Sequence, residues 1–347
     1  MKSLKEISWQ VDESTYRADE ALSYSTLSTY ERGNQFDSLK TLFDRKESPS
    51  LVFGSCVDAL ITGGQEEFGD NFLVVDLPTL PPSLINICND LFNVYGGSCK
   101  NLSEINTQIL ANTWDKYDGR NWKDTTKANF IIDNGSEYYR LKFIAGTKTI
   151  ISNELYTEVL ATVRALKESK ATKWYFETDN PFNKDIERLY QLKFKATIDG
   201  VNYRGMLDEV IVNHKNKTIL PIDLKTSSKS EYNFYKSFIE WGYMWQAKLY
   251  TKLLKENISK DDYFKDFTIL PYIFIVANRK TLTPLVWEFT ESLNTNDFIC
   301  GKDNRLIYRS PLSIGKELHN YLSSRPKVPN GINIDKPNNL IKWLNKI

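Results

Sequence analysis

The segment from Leu189 to Thr226 constrains this chain most. It reads as three apolar strands in succession, "LYQLKFKATI", "VNYRGMLDEVIV" and "TILPIDLKT". Asp199-Gly200 joins the first two and is a strong hairpin dipeptide, because both central residues of such a turn take positive φ. "NHKNK" supplies the second turn. The reading is an antiparallel meander. It carries Asp208, Asp223 and Lys225 among its hydrophobic residues. A charge in a half-buried strand is costly unless it is paired or bound to a metal.

Side chains alternate faces along a strand. In "ILPIDLK" the residues Leu220, Ile222 and Leu224 share one face, and Asp223 and Lys225 share the other. Asp208 lies on the neighbouring strand, and a short turn allows it to converge on Asp223. Two converging carboxylates suit a hard cation such as Mg²⁺, which favours oxygen ligands. A bound Mg²⁺ offsets their charge, bridges a phosphate oxygen and acidifies a water. A nearby lysine stabilises charge on a phosphate or positions the attacking water. These are the parts needed for phosphodiester hydrolysis. The same residues also suit a solvent-facing hairpin with a surface ion pair, which is worth little to stability.

The rest of the chain predicts helices around this sheet. "YSTLSTYERGNQFDSLKTLFDRK" reads as helix broken near Gly33. "SPSLVFGSCVDALITGG" reads as a second helix, capped by Ser50 and ended by Gly63-Gly64. "FLVVDLPTLPPS" is a short strand and a Pro-rich loop. Residues 83–150 read as mixed helices and loops. "NELYTEVLATVRALKES" has apolar residues at helical spacing, namely Leu155, Val159, Leu160, Val163 and Leu166. After the meander, "SFIEWGYMWQAKLYTKLLKEN" reads as one helix, "LPYIFIVAN" and "LVWEFT" as strands, and "LSIGKELHNYLSS" and "NNLIKWLNKI" as short helices. The order predicts an α/β (α+β) fold: a central mixed sheet with an antiparallel meander, flanked by helices.

A length of 347 residues suits one large elaborated domain or two modest ones. The net charge of +1 excludes a large single-sign field, so any nucleic-acid surface must be local. Cys56, Cys88, Cys99 and Cys300 form no CxxC pair, which leaves zinc ribbons unsupported and points to free thiols in a reducing compartment. The N-terminus shows no apolar signal core, and no apolar run reaches membrane-spanning length, so the expected setting is cytoplasmic. His214 and His319 read as surface residues. Lys193, Lys195, Arg204, Lys229, Lys236, Lys248 and Lys252 are candidates for phosphate contact, none selected over the others. The aromatic run from Tyr232 to Trp245 reads as core more readily than as a base-stacking surface.

The spacing Asp208, then Asp223-Leu224-Lys225, resembles the signature of the PD-(D/E)XK nuclease superfamily. Gln246 and Tyr250 in "WQAKLY" fall four residues apart on one helical face. They resemble the Q-x-x-x-Y motif of RecB-like and lambda-exonuclease-like nucleases. "SYSTLSTY" followed by "LVFGSCVDALITGGQEEFGDNFLVV" is similar to the start of exonuclease VIII (RecE-type) proteins. The likeness runs, with gaps, from about Ser23 to about Tyr250. It does not extend over residues 83–145 or beyond about residue 290.

The resemblance implies a restriction-endonuclease-like core at residues 1–300, with a variable lobe at 70–150 and a helical C-terminal tail at 301–347. It implies a Mg²⁺-dependent DNA exonuclease acting at duplex ends, with Mn²⁺ as the other candidate metal. It further implies phage or prophage recombination, a single-strand annealing partner and a homo-oligomer. By the same analogy Asp208 and Asp223 hold the metal and the Leu224 carbonyl adds a ligand. Lys225 stabilises the attacking hydroxide or the phosphate charge, and Gln246 and Tyr250 position the DNA backbone. The chain departs from the family at Asp58, where relatives carry a metal-binding His. Asp58 either completes a three-carboxylate site or is an ordinary helix-surface residue. Two rival readings stay open: a single-strand or structure-specific nuclease of the same superfamily, and a catalytically dead DNA-binding relative.

Overall fold

The computed structural model describes residues 1–33, 42, 48–177, 185–290, 299–300, 306–307 and 309–324. The meander is its centre. Strands β3 (Ile186–Ile198), β4 (Val201–Asn213) and β5 (Thr218–Ser227) pair antiparallel in sequence order. Asp199 and Gly200 take φ of 50° and 81°, as the hairpin dipeptide requires. Strand β7 (Tyr272–Asn278) then pairs parallel with β5, and β8 (Pro284–Phe289) closes the edge antiparallel to β7. The short β6 (Thr268–Ile269) pairs parallel with the start of β5. The sheet is mixed, in the order β3-β4-β5-β7-β8, with helices on both faces.

One face packs against α3 (Pro49–Thr62) and α8 (Asn153–Glu168), joining Ile211, Leu220, Ile222 and Ile275 to Phe53, Val57 and Val159. The short α4 (Gly64–Asn71) follows α3 directly and adds Phe68 to this layer. The other face packs against α9 (Phe234–Trp241) and α10 (Tyr243–Ile258), through Phe194, Leu207, Val210, Ile219 and Phe274. Helix α2 (Tyr24–Arg32) and α11 (Pro311–Ser324) complete that side. Ile314 and Leu318 of α11 are fully buried there. Arg309 pins the two helices by bonding Glu31 and Glu317. After α1 (Glu13–Ala18), the N-terminal segment adds a short parallel bridge at Leu22–Tyr203, alongside β4 where β5 no longer pairs with it.

Residues 82–145 form a helical lobe, α5 (Pro82–Tyr95), α6 (Thr107–Tyr117) and α7 (Asp124–Ala145), with its own core around Trp114, Tyr139 and Leu84. A two-stranded parallel pair closes its base, β1 (Phe72–Val74) on β2 (Thr149–Ile151).

Three local expectations are corrected. The cap of α3 is Ser48, whose hydroxyl accepts from the Leu51 N–H at 3.2 Å. Pro49 is preorganised for the first helical position, which moves the cap one residue ahead of it rather than to Ser50. The expected single helix at 237–257 is two, divided at Gly242, which takes a left-handed φ of 67°. His214 is buried rather than on the surface. Its ring lies among Tyr263, Phe264 and Phe267 and hydrogen-bonds Glu187 and Tyr263, because the turn after β4 folds back onto that aromatic cluster. His319 is exposed. The expected helix at "NNLIKWLNKI" lies outside the described residues.

Candidate active site

Strand alternation delivers Asp223 and Lys225 to the α10 face of β5, while Leu220, Ile222 and Leu224 pack on the α3 face. Asp223 is fully buried. Its two oxygens are both engaged: Gln246 of α10 donates its amide to one, and the Lys225 ammonium pairs with the other. Helix α10 places Tyr250 one turn further along. The Tyr250 ring presses on the backbone of β4 at Gly205, where a Cβ would meet ring carbons at 2.6 and 2.7 Å. Only glycine permits this approach of helix to strand. The structure therefore brings Asp223, Lys225, Gln246 and Tyr250 together.

Asp208 reaches the same centre by a different route. The β3–β4 ladder has pairs at Tyr190–Glu209 and Leu192–Leu207 but none at the intervening Gln191 and Asp208. The β4–β5 ladder stops at Glu209–Ile222. Freed from both neighbours, Asp208 accepts the backbone N–H of Leu224 at 2.8 Å. The sheet opens at this point, between the two acidic strands. A cleft here is lined by Asp58, Thr62, Phe176, Tyr190, Asp208 and Glu209.

Asp58 enters the cleft from α3. One of its oxygens accepts the Gln191 amide at 3.0 Å, and the other is buried with no hydrogen-bond partner among the described residues. Gln191 takes a left-handed φ of 51°, uncommon for a residue with a side chain. From that conformation its amide also reaches Thr62 at 3.3 Å and Glu67 at 3.5 Å. Gln191 and the buried Glu209 were not singled out by sequence. The one signal for Gln191 is a polar residue between the apolar Tyr190 and Leu192, which gave no reason to expect a gap in the ladder.

The electrostatics follow from burial and crowding. Burial, then Glu67 and Asp223, push the Asp58 carboxyl up to about 7. Burial, then Asp223 and Asp58, hold Asp208 well above the ordinary carboxylate range. Burial opposes the charge on Lys225, but Asp223, Tyr243 and Asp208 outweigh it and keep the ammonium protonated. Its Nζ also stands 5.0 Å from the Tyr243 ring centroid. A single ammonium thus stands among three carboxylates that repel one another.

That donor set suits a hard divalent cation. An orphaned buried oxygen on Asp58 and mutually repelling carboxylates are what a cation would relieve. Nevertheless, among the described residues no three His, Cys, Asp or Glu gather closely enough to hold a metal ion. The carboxylates sense one another without closing into a shell. Several cations elsewhere on the sheet and helices have acidic partners: Lys195 with Asp19, Lys229 with Glu240, Lys252 with Glu256.

No protein-family model matches the sequence, and no curated protein matches it significantly. Among solved structures, the chain is similar to one described as a "putative exonuclease" from Eubacterium rectale, with a TM-score of 0.46 and 12% identity over 90% of this chain and 86% of that one. No helix among the described residues is long and apolar enough to cross a membrane.

Proposed function

We propose that this chain is a metal-dependent deoxyribonuclease of the PD-(D/E)XK type that hydrolyses phosphodiester bonds at the ends of duplex DNA. The observation that carries the reading is the buried Asp223–Lys225–Gln246 constellation beside a sheet opened at Asp208. Burying an aspartate and a lysine together is costly to stability, and breaking such a pair is costlier still. A structural ion pair does not call for two further crowded carboxylates, Asp208 and Asp58, nor for a strained Gln191 to hold one of them.

In this reading Asp208, Asp223, the Leu224 carbonyl and Asp58 would hold Mg²⁺, with Mn²⁺ as substitute, by drawing closer on binding than they stand here. Bound there, the ion supplies Lewis acidity toward a phosphate oxygen and an acidified water. Lys225 offers a fixed positive charge to the phosphate or the attacking hydroxide. Gln246 and Tyr250, expected to position the DNA backbone, are both buried: Gln246 holds Asp223 in place, and Tyr250 sets the distance between α10 and β4. Gln191 orients Asp58 by taking one of its oxygens. The sequence resemblance further supports action in phage or prophage recombination beside an annealing protein, with a homo-oligomer encircling DNA.

End-labelled linear duplex tests the proposal. Release of labelled nucleotides should require Mg²⁺ or Mn²⁺, should stop in Asp223→Asn, and should not occur on closed circular duplex. Cleavage of circles would favour a structure-specific relative. The scattered carboxylates favour one other reading, a DNA-binding relative without catalysis. Calorimetric titration of Mg²⁺ and Mn²⁺ separates the two, because a dead site binds neither with defined stoichiometry.

A further inference from the structure

The short stretch after the catalytic strand carries large aromatic side chains on two faces, and the structure divides them. Phe234 and Phe238 are buried and pack on Tyr243, Phe274 and Trp287. Tyr232, Tyr235 and Trp241 face outward, 85%, 46% and 42% exposed. Tyr235 and Ile239, four residues apart, form an outward stripe on α9, Tyr232 stands in the 3-10 turn just before it, and Trp241 ends the helix off that stripe. An apolar stripe of this kind on a helix is costly in water unless something covers it.

Its position and its charges say what does. Trp241, at the end of α9, connects to the candidate active site. Lys225 stands over Tyr243; Tyr243 contacts Tyr24 at 6.5 Å between ring centroids; and the Tyr24 hydroxyl bonds the Trp241 carbonyl at 2.7 Å. Cations frame the rings. The Arg32 guanidinium lies 4.1 Å from the Trp241 ring centroid, and the Lys236 ammonium 5.8 Å from that of Tyr235. Flat apolar rings, two of them with a cation at the face, match bases flanked by phosphates, and the one acid between them, Glu240, is taken up by Lys229. That is how proteins hold single strands without reading their sequence. A protein partner would be served by the rings but not by cations aimed at their faces.

We propose that Tyr232, Tyr235 and Trp241 form a stacking surface for the unpaired bases of a single-stranded DNA end, with Arg32 and Lys236 on its phosphates. The proposal rests on the nuclease reading and adds to it a place for the strand leaving or entering the site. Cation–π contacts hold the rings flat and the charges ready.

The test is fluorescence anisotropy in EDTA with a labelled single-stranded oligonucleotide, set against an abasic oligonucleotide of equal length. The abasic strand keeps every phosphate and loses every base. The wild-type chain should bind the base-bearing strand at least about tenfold tighter. Tyr232→Ala, which removes a ring too exposed to affect folding, should lose about tenfold on that strand alone. Tyr232→Ala/Tyr235→Ala/Trp241→Ala should bind both strands alike. Equal binding of the two strands by a wild-type chain that still degrades DNA would overturn the stacking surface and leave the nuclease reading standing. So would wild-type affinity in the triple variant, or a change only in its sedimentation, which would mark the stripe as a self-association face. A wild-type chain that neither binds nor degrades DNA would overturn both.

Discussion

Asp208 accepts its hydrogen bond from the backbone of Leu224, at 2.8 Å, across a gap where the two strands have stopped pairing. A carboxylate thus replaces a ladder bond. One acidic side chain thereby reports on the position of the strand that carries the other acidic residue and the lysine. The arrangement couples the geometry of Asp208 to that of Asp223 and Lys225.

Asp223→Asn keeps an acceptor for the Gln246 amide and removes the charge that balances Lys225. We expect metal-dependent hydrolysis to fall by about a hundredfold or more. Stability should also drop, by an amount on the order of the 3–5 kcal/mol seen when a buried pair loses one member. Urea unfolding and a nuclease assay on the same preparation measure both. Full activity in this variant would remove the assignment.

Lys225→Arg keeps the charge but not the shape. Lys225 is a point charge in a slot between Asp223 and the Tyr243 ring, whereas arginine presents a wide planar fork. We expect activity no higher than in Lys225→Gln, with affinity for DNA in EDTA little altered in either. Rescue by arginine would mean that only charge matters here.

Asp58 gives the fold a pH dependence. Its carboxyl lies at about 7, above the ordinary 3.8, so the folded chain binds its proton more tightly than the unfolded chain does. The stabilising contribution is present in full below about pH 4 and is lost as pH rises through 7. In metal-free buffer, Asp58→Asn removes this dependence. Its Tm relative to wild type should therefore rise between pH 5 and pH 8. A difference that stays flat with pH would contradict the crowded environment of Asp58.

Gly205→Ala tests the helix–strand contact. The added methyl would meet Tyr250 ring carbons at 2.6 and 2.7 Å and Leu253 at 3.0 Å. Overpacking of this kind costs about 1–3 kcal/mol. Because α10 also carries Gln246, we expect activity to fall more than stability alone explains. Urea midpoints and specific activity, compared at a temperature where the variant is fully folded, read the two effects separately.

Much of the sheet was legible in the sequence because its signals are local. Period-two alternation separated Asp223 and Lys225 from Ile222 and Leu224 on the opposite face. The Asp199-Gly200 pair marked the first turn, and helical spacing placed Gln246 and Tyr250 on one side. What escaped was decided by neighbours distant in the chain. Gln191 matters because the ladder lapses opposite Asp208. His214 is buried because residues 263–267 fold over it. The outward aromatics could not be told from the inward ones because the helix begins at Phe234, ahead of the expected start at Ser237, with Tyr232 in a turn before it.

Taken alone, the amino-acid sequence determined the strands, their order and the residue types that meet near the lysine, since these depend on contacts within a few residues. Tertiary structure decided where the sheet opens, which oxygen of Asp58 is left without a partner and which rings reach solvent. Those outcomes depend on burial and on competition for hydrogen bonds among segments far apart in the chain, and no local pattern encodes them.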